Sequence, residues 1–210
     1  TGCMLIKIGV NSNLGCLILV QIAAGGESGL GKTHLMQAAG HLALEKNHLL
    51  TVGMEYARAS VYACFGHYLF WHAPEEKRIA HNYSVQMMQK AAPYLSPALI
   101  PMKIPYAGIE MNAYLRLPVN QEGPFPCVVC LGGLDSGKEE WLVMSSLLAQ
   151  RGMAAILFDG PGQGETFYQM KMHANYLQYL HYQPKMHSLH SEIQCCQSGS
   201  LLTNFPKPLH

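Results

Sequence analysis

Charge is what this chain has least of. Only 13% of its 210 residues are Asp, Glu, Lys or Arg, and the signs nearly cancel at 13 acidic against 14 basic. That balance removes the electrostatic argument for a dedicated nucleic-acid or acidic-membrane binder. Aspartate is scarcer still, with Asp135 and Asp159 as the only two. Long apolar runs are missing as well. The longest, Leu14 to Ala24, is broken by Gln21 and falls short of the roughly 20 residues a membrane-spanning helix needs. Seven cysteines make an odd number without a disulfide-like spacing, and no basic segment with a cleavage site precedes them; a reducing, cytoplasmic setting is expected. What the chain does have is apolar material, 49% of its residues. That suffices for a sizeable core in one or two domains and excludes a disordered tail or a coiled coil.

Periodicity divides the chain into four stretches. In residues 1–50 a short Ile, Leu and Val run at Gly15 to Ala24 leads into a glycine-rich string and then a helical stretch from His34 to Lys46. In residues 51–97 Met54, Ala57, Val61, Phe65 and Leu69 recur at helical spacing, and Pro74 with Glu75 and Glu76 opens a second helix running towards Leu95. Residues 98–168 read as strands Ile100 to Tyr106, Ile109 to Leu117 and Cys127 to Leu131, a helix Glu139 to Gln150 stopped by Gly152, and a buried strand Met153 to Phe158. The order β, β, β, α, β predicts an α/β sheet that turns parallel in its later strands. In residues 169–210 the pattern decays into an irregular tail. A helix from Thr166 to about Tyr182 is conceivable, and no further strand is expected to extend the sheet.

Two motifs carry chemistry. Gly26-x4-Gly31-Lys32-Thr33 satisfies the phosphate-loop pattern. There glycines let backbone N–H groups curl around a phosphate, the lysine reaches the β and γ oxygens, and the threonine hydroxyl binds Mg²⁺. The string Gly29-Leu30-Gly31-Lys32-Thr33-His34-Leu35-Met36-Gln37-Ala38 resembles the Walker A region of DnaA-type ATPases. The resemblance implies ATP and Mg²⁺ held by Gly26, Gly29, Gly31, Lys32 and Thr33. The second acidic residue of that family's later strand is missing, because Gly160 follows Asp159. The plain alternative is a strand, loop and helix that hold no nucleotide. A further string, Gly132-x4-Gly137-Lys138, ends in Glu139 where Ser or Thr is required.

The second motif is longer. Pro124-Phe125-Pro126-Cys127-Val128-Val129-Cys130-Leu131-Gly132-Gly133-Leu134-Asp135-Ser136-Gly137-Lys138 and Phe158-Asp159-Gly160-Pro161-Gly162-Gln163-Gly164-Glu165 follow Ala57-Arg58-Ala59-Ser60 and Gly66-His67-Tyr68-Leu69-Phe70 in order. Together they resemble the α/β-hydrolases that group FrsA-like esterases with a carbon–carbon bond hydrolase acting on 2,6-dihydropseudooxynicotine. In such enzymes the loop after the third strand supplies a backbone N–H to the oxyanion hole. The resemblance assigns that donor to Gly133 or Leu134. It makes Asp135 a candidate to orient substrate or assist proton transfer, or else a turn or capping aspartate ahead of Glu139. The Asp159 to Glu165 loop lines the same mouth and reads as a tight turn. The helical segment matches the family's lid and dimer-contact region, where Tyr62, Phe65, Phe70 and Trp71 shape a substrate pocket or simply pack a core.

What the hydrolase chemistry also requires is G-x-S-x-G followed by an acid and a histidine, and these 210 residues contain no such string. His173, His181, His187, His190 and His210 have no triad role to fill, and the spacing of His187, His190, Cys195 and Cys196 is not a zinc pattern. The fold expected is a partial α/β-hydrolase sheet behind an N-terminal helical segment, incomplete after the fourth strand. The function expected is hydrolysis of an ester or carbon–carbon bond by family, in a catalytically incomplete fragment. A small ester or ketone is the expected substrate and a homodimer the expected assembly; neither a metal nor a cofactor is expected for that reaction.

Overall fold

The computed structural model describes residues 26–67, 73–133, 136–172 and 193–194. Two compact units divide the chain, residues 1–95 and 96–210.

The first unit is helical: α1 Gly26–Glu45, α2 Leu49–His67 and α3 Pro74–Ala91. Pro74 starts α3, where its missing N–H costs nothing, and Glu75 and Glu76 sit in the first turn facing the positive end of the helix dipole. The helix stops short of Leu95 because Pro93 has no N–H to continue it, and Ala92–Tyr94 tightens into a 3₁₀ turn. The helices meet closely. A Cβ added at Gly40 would lie 2.9 Å from the Tyr56 ring, and one at Gly53 would lie 2.6 Å from the Tyr94 carbonyl oxygen. Between α2 and α3, Ser60 Oγ donates to the Ser84 carbonyl and Ser84 Oγ to the Ser60 carbonyl, each at 2.8 Å.

Helix α1 corrects the phosphate-loop expectation. Residues 26–33 are the first two turns of a continuous helix, and the strand expected at Gly15 to Ala24 lies outside the described residues. A phosphate loop works by pointing successive free N–H groups inward, whereas N–H groups beyond the first turn of a helix are committed to carbonyls four residues back. The backbone at Gly31, Lys32 and Thr33 therefore cannot wrap an anion, and Thr33 is fully buried. Fluorescent ATP with Mg²⁺ is expected to show no saturable binding. Saturable binding abolished by Lys32→Ala would restore the loop.

The second unit is a mixed sheet ordered β1-β2-β4-β3-β5, with β1 Ile100–Tyr106, β2 Ile109–Arg116, β3 Phe125–Leu131, β4 Ala154–Phe158 and β5 Ile193–Gln194. The expected strands form within a residue or two of their sequence limits. β1 and β2 are antiparallel, with Tyr106 opposite Ile109. β2 and β4 are antiparallel, with Ala113 opposite Phe158. β3 and β4 are parallel, with Cys127 opposite Ala154 and Leu131 opposite Phe158. The expectation of no further strand is corrected: Ile193 and Gln194 add parallel to Phe125 and Pro126. This pairing uses backbone groups alone, so the weak apolar character of the segment gave no signal. Ile104, Met111, Ala113, Leu115, Ile156 and Phe158 form the core on one sheet face. Helix α4 Leu142–Gln150, preceded by a 3₁₀ turn at Lys138–Trp141, packs on β2 and β4. Gly152 ends it at φ +75°. Buried Arg116 ties β2 down, donating to the Pro97 carbonyl at 2.9 Å, the Leu142 carbonyl at 2.7 Å and Ser145 Oγ at 3.1 Å. Burial lowers its pKa to about 10. Among the described residues no helix is long and apolar enough to cross a membrane.

The β1–β2 turn holds Ala107 at φ +46° and Gly108 at φ +84°, the signs a two-residue type I′ hairpin requires. Alanine at a left-handed position costs about 1–2 kcal/mol. Ala107→Asn, a residue that tolerates this region, is expected to raise stability by about 0.5–1 kcal/mol, read from the urea midpoint. A lowered midpoint would refute the turn assignment.

Candidate active site

Because β3 and β4 run parallel and Leu131 pairs with Phe158, the loops that follow them leave the sheet along one edge, the carboxyl end where α/β sheets place ligands. The first loop starts at Gly132 and Gly133 and reaches Lys138. The second runs from Asp159 to Glu165. The structure thus brings together the two glycine motifs that the sequence separates by about 25 residues. Leu134 and Asp135 lie outside the described residues, as do Phe70, Trp71, Cys195, Cys196 and the five tail histidines. Tyr62 and Phe65 are half-buried on α2.

Asp159 is the hinge between the loops. It is 1% exposed, and its carboxylate accepts the Lys138 backbone N–H at 2.8 Å, the Lys138 ammonium at 2.8 Å and the Glu165 backbone N–H at 3.1 Å. Its carbonyl accepts Thr166 Oγ1 at 2.7 Å. Gly164 makes this possible: at φ +41°, a Cβ there would fall 2.3 Å from the Asp159 carboxylate.

Lys138 is the residue the sequence did not disclose. It is 1% exposed, and its ammonium lies 2.8 Å from Asp159, 2.9 Å from Glu139 and 2.5 Å from Glu165. The Tyr114 ring lies 5.8 Å away. Lysine is almost never fully buried unless paired, and here three carboxylates surround one cation. Burial by itself would push the ammonium pKa down; Asp159, Glu139 and Glu165 together outweigh it and hold the group well above its ordinary value. The three carboxylates are not equally provided for. Asn112 donates to Glu165 at 2.8 Å, and Asp159 has the partners named above. Glu139 Oε1 is close to the ammonium without hydrogen-bond alignment. Burial drives the Glu139 carboxyl up to about 7, against the pull of Lys138. Burial also holds the Tyr114 phenol well above its usual range, and Glu139 adds to the effect.

Gln163 is the second residue missed. It is 3% exposed. Its Nε2 donates to the Gly132 and Gly133 carbonyls, both at 2.6 Å, while its Oε1 accepts the Gly160 N–H at 3.1 Å. Gly133 is exposed, a Cβ built on it would meet nothing within 4 Å, and its N–H reaches no acceptor among the described residues. Cys127 and Cys130 face opposite sides of β3, one half-buried and one buried. Burial pushes the Cys130 thiol up to about 11, which makes it a poor nucleophile. No group of His, Cys, Asp and Glu among the described residues could hold a metal ion.

Known proteins are similar to this chain in sequence and in fold. The 2,6-dihydropseudooxynicotine hydrolase of Paenarthrobacter nicotinovorans is 39% identical over 132 residues, 63% of this chain and 35% of that protein. Hydrolyase poxO of Penicillium oxalicum is 32% identical over 143 residues, 65% of this chain and 34% of that protein. The crystal structure of the 2,6-dihydroxy-pseudo-oxynicotine hydrolase superposes with a TM-score of 0.75 at 30% identity, over 87% of this chain and 55% of that one. The chain spans about a third of the length of these curated relatives. Residues 34–185 match the family described as Esterase FrsA-like, a span that takes in both glycine loops and leaves out residues 26–33. With the mixed sheet and its two loops on one edge, this match means that the chain belongs to the FrsA-like family of α/β-hydrolases.

Proposed function

We propose that this chain provides the oxyanion-binding side of a hydrolase that cleaves an ester or an activated carbon–carbon bond beside a carbonyl. The observation that supports this reading is the exposed N–H of Gly133 at the carboxyl end of β3, which meets no acceptor among the described residues. When a nucleophile adds to a carbonyl, negative charge develops on its oxygen, and a preformed N–H at that point stabilises the transition state more than the ground state. Gly133 offers such a group with no side chain in the way, Leu134 is the other candidate donor, and Asp135 would orient the substrate or move a proton. The 2,6-dihydropseudooxynicotine hydrolase points to a small ketone or ester as the substrate class.

The serine elbow this chemistry requires is not among these 210 residues, so p-nitrophenyl acetate is expected to hydrolyse at the buffer rate in the presence of the chain. Turnover lost on Asp135→Asn would show that the chain carries its own nucleophile. Anion binding is the direct test. Benzoate, whose carboxylate oxygens imitate the charged oxygen of the intermediate, is expected to move the Gly133 amide proton downfield and to saturate in a ¹⁵N-resolved titration. An unmoved Gly133 resonance sinks the reading.

A further inference from the structure

We infer that Gln163 is the positioning residue that fixes which way the Gly132 and Gly133 peptides face. The inference rests on the reading of Gly133 as the anion-binding donor. A trans peptide carries its C=O and the next N–H on opposite sides of one plane. With the Gly132 carbonyl held 2.6 Å from Gln163 Nε2, the Gly133 N–H must face away from Gln163. Two successive glycines have little preference of their own between the two orientations of such a plane. The preference has to come from a partner, and among the described residues Gln163 is the side chain that bonds to both carbonyls.

The side chain suits the task chemically. A primary amide has two N–H bonds and one carbonyl oxygen. Here the two N–H bonds meet the Gly132 and Gly133 carbonyls while the oxygen takes the Gly160 N–H. The Gly160 contact decides which end of the amide faces the glycines, since exchanging the ends would set oxygen against two carbonyls. Glutamate at 163 would create that repulsion. Methionine would keep the length and remove the donors. Gln163 itself is buried, touches no reacting atom in this scheme, and acts through the loop it holds.

The experiment uses the ¹⁵N,¹³C-labelled chain. In the wild type, scalar couplings across the hydrogen bonds from Gln163 Nε2 to the Gly132 and Gly133 carbonyl carbons are expected, and their absence overturns the inference without any variant having to fold. In Gln163→Met and Gln163→Glu, the two carbonyl ¹³C resonances are expected to shift and benzoate binding at Gly133 to weaken about tenfold, the value of one charge-assisted hydrogen bond. A general loss of structure would move resonances throughout β1 and β2, whereas loss of positioning moves those of the loop. Unchanged benzoate affinity in both folded variants overturns the inference. Couplings present in a wild type that ignores benzoate would leave the Gln163 contact standing and remove the Gly133 reading instead.

Discussion

Lys138→Met is expected to cost about 3–5 kcal/mol at neutral pH, the usual penalty for deleting one partner of a buried ion pair. Among the described residues Lys138 is the cation that lies within 2.9 Å of Asp159, Glu139 and Glu165, so its removal leaves the buried Asp159 and Glu139 carboxyl groups without a counter-charge. Domains of this kind are stable by about 5–15 kcal/mol in total, so the loss is a large share of what holds the fold. Urea denaturation followed by circular dichroism measures the loss. A midpoint equal to the wild type would mean that no ionic cluster holds the two loops. Lys138 and Asp159 join the same two loops that Gln163 joins. Benzoate binding should therefore disappear before the sheet does.

Glu139→Gln is expected to act in the opposite direction and only above a threshold pH. In the unfolded chain Glu139 ionises near the ordinary 4.5, whereas in the fold it keeps its proton up to about 7. Between these values the folded state binds more protons than the unfolded one, so stability declines as the pH rises, by roughly 3 kcal/mol over the window. The raised Lys138 pKa adds no slope here, since its contribution is fully present below the ordinary value of 10.5 and is lost only above it. Glutamine resembles the protonated carboxyl. The variant should match the wild type at pH 5, exceed it by about 2 kcal/mol at pH 8, and lack the decline between. Urea midpoints at several pH values decide the matter, and parallel profiles for the two proteins would refute it.

The elements were legible where local chemistry agrees with the final environment. Ile100 to Tyr106 and Ile109 to Leu117 announce themselves by branched and aromatic residues around Ala107-Gly108, and Met153 to Phe158 by an unbroken apolar run after Gly152. The string Gly26 to Thr33 misled because its spacing is a pattern of letters, while the backbone that gives those letters their chemistry is set by packing. Thr33 is buried within the helical unit, and the helix continues through the glycines. Lys138 and Gln163 were hidden for a different reason. Each reaches across to the other loop, to partners 21 to 31 residues away, and nothing in a single sequence states that the loops after β3 and β4 share an edge. One hint was available for the cation: Lys138-Glu139-Glu140 is a dense charged run in a chain otherwise poor in charge, and Asp159, one of two aspartates, ends an apolar strand.

The strand order has a consequence for how the chain is made. The β1–β2 hairpin closes through two residues and can form within microseconds of leaving the ribosome. The other side of β2 is paired by β4, which begins about 40 residues after β2 ends. At ordinary rates of synthesis, that interval lasts roughly 2–8 s. During those seconds the nascent hairpin presents an open strand edge, the form of surface that recruits other chains. Lengthening the stretch between Arg116 and Ala154 should therefore reduce the yield of correctly folded chain more than it reduces the stability of the chains that do fold.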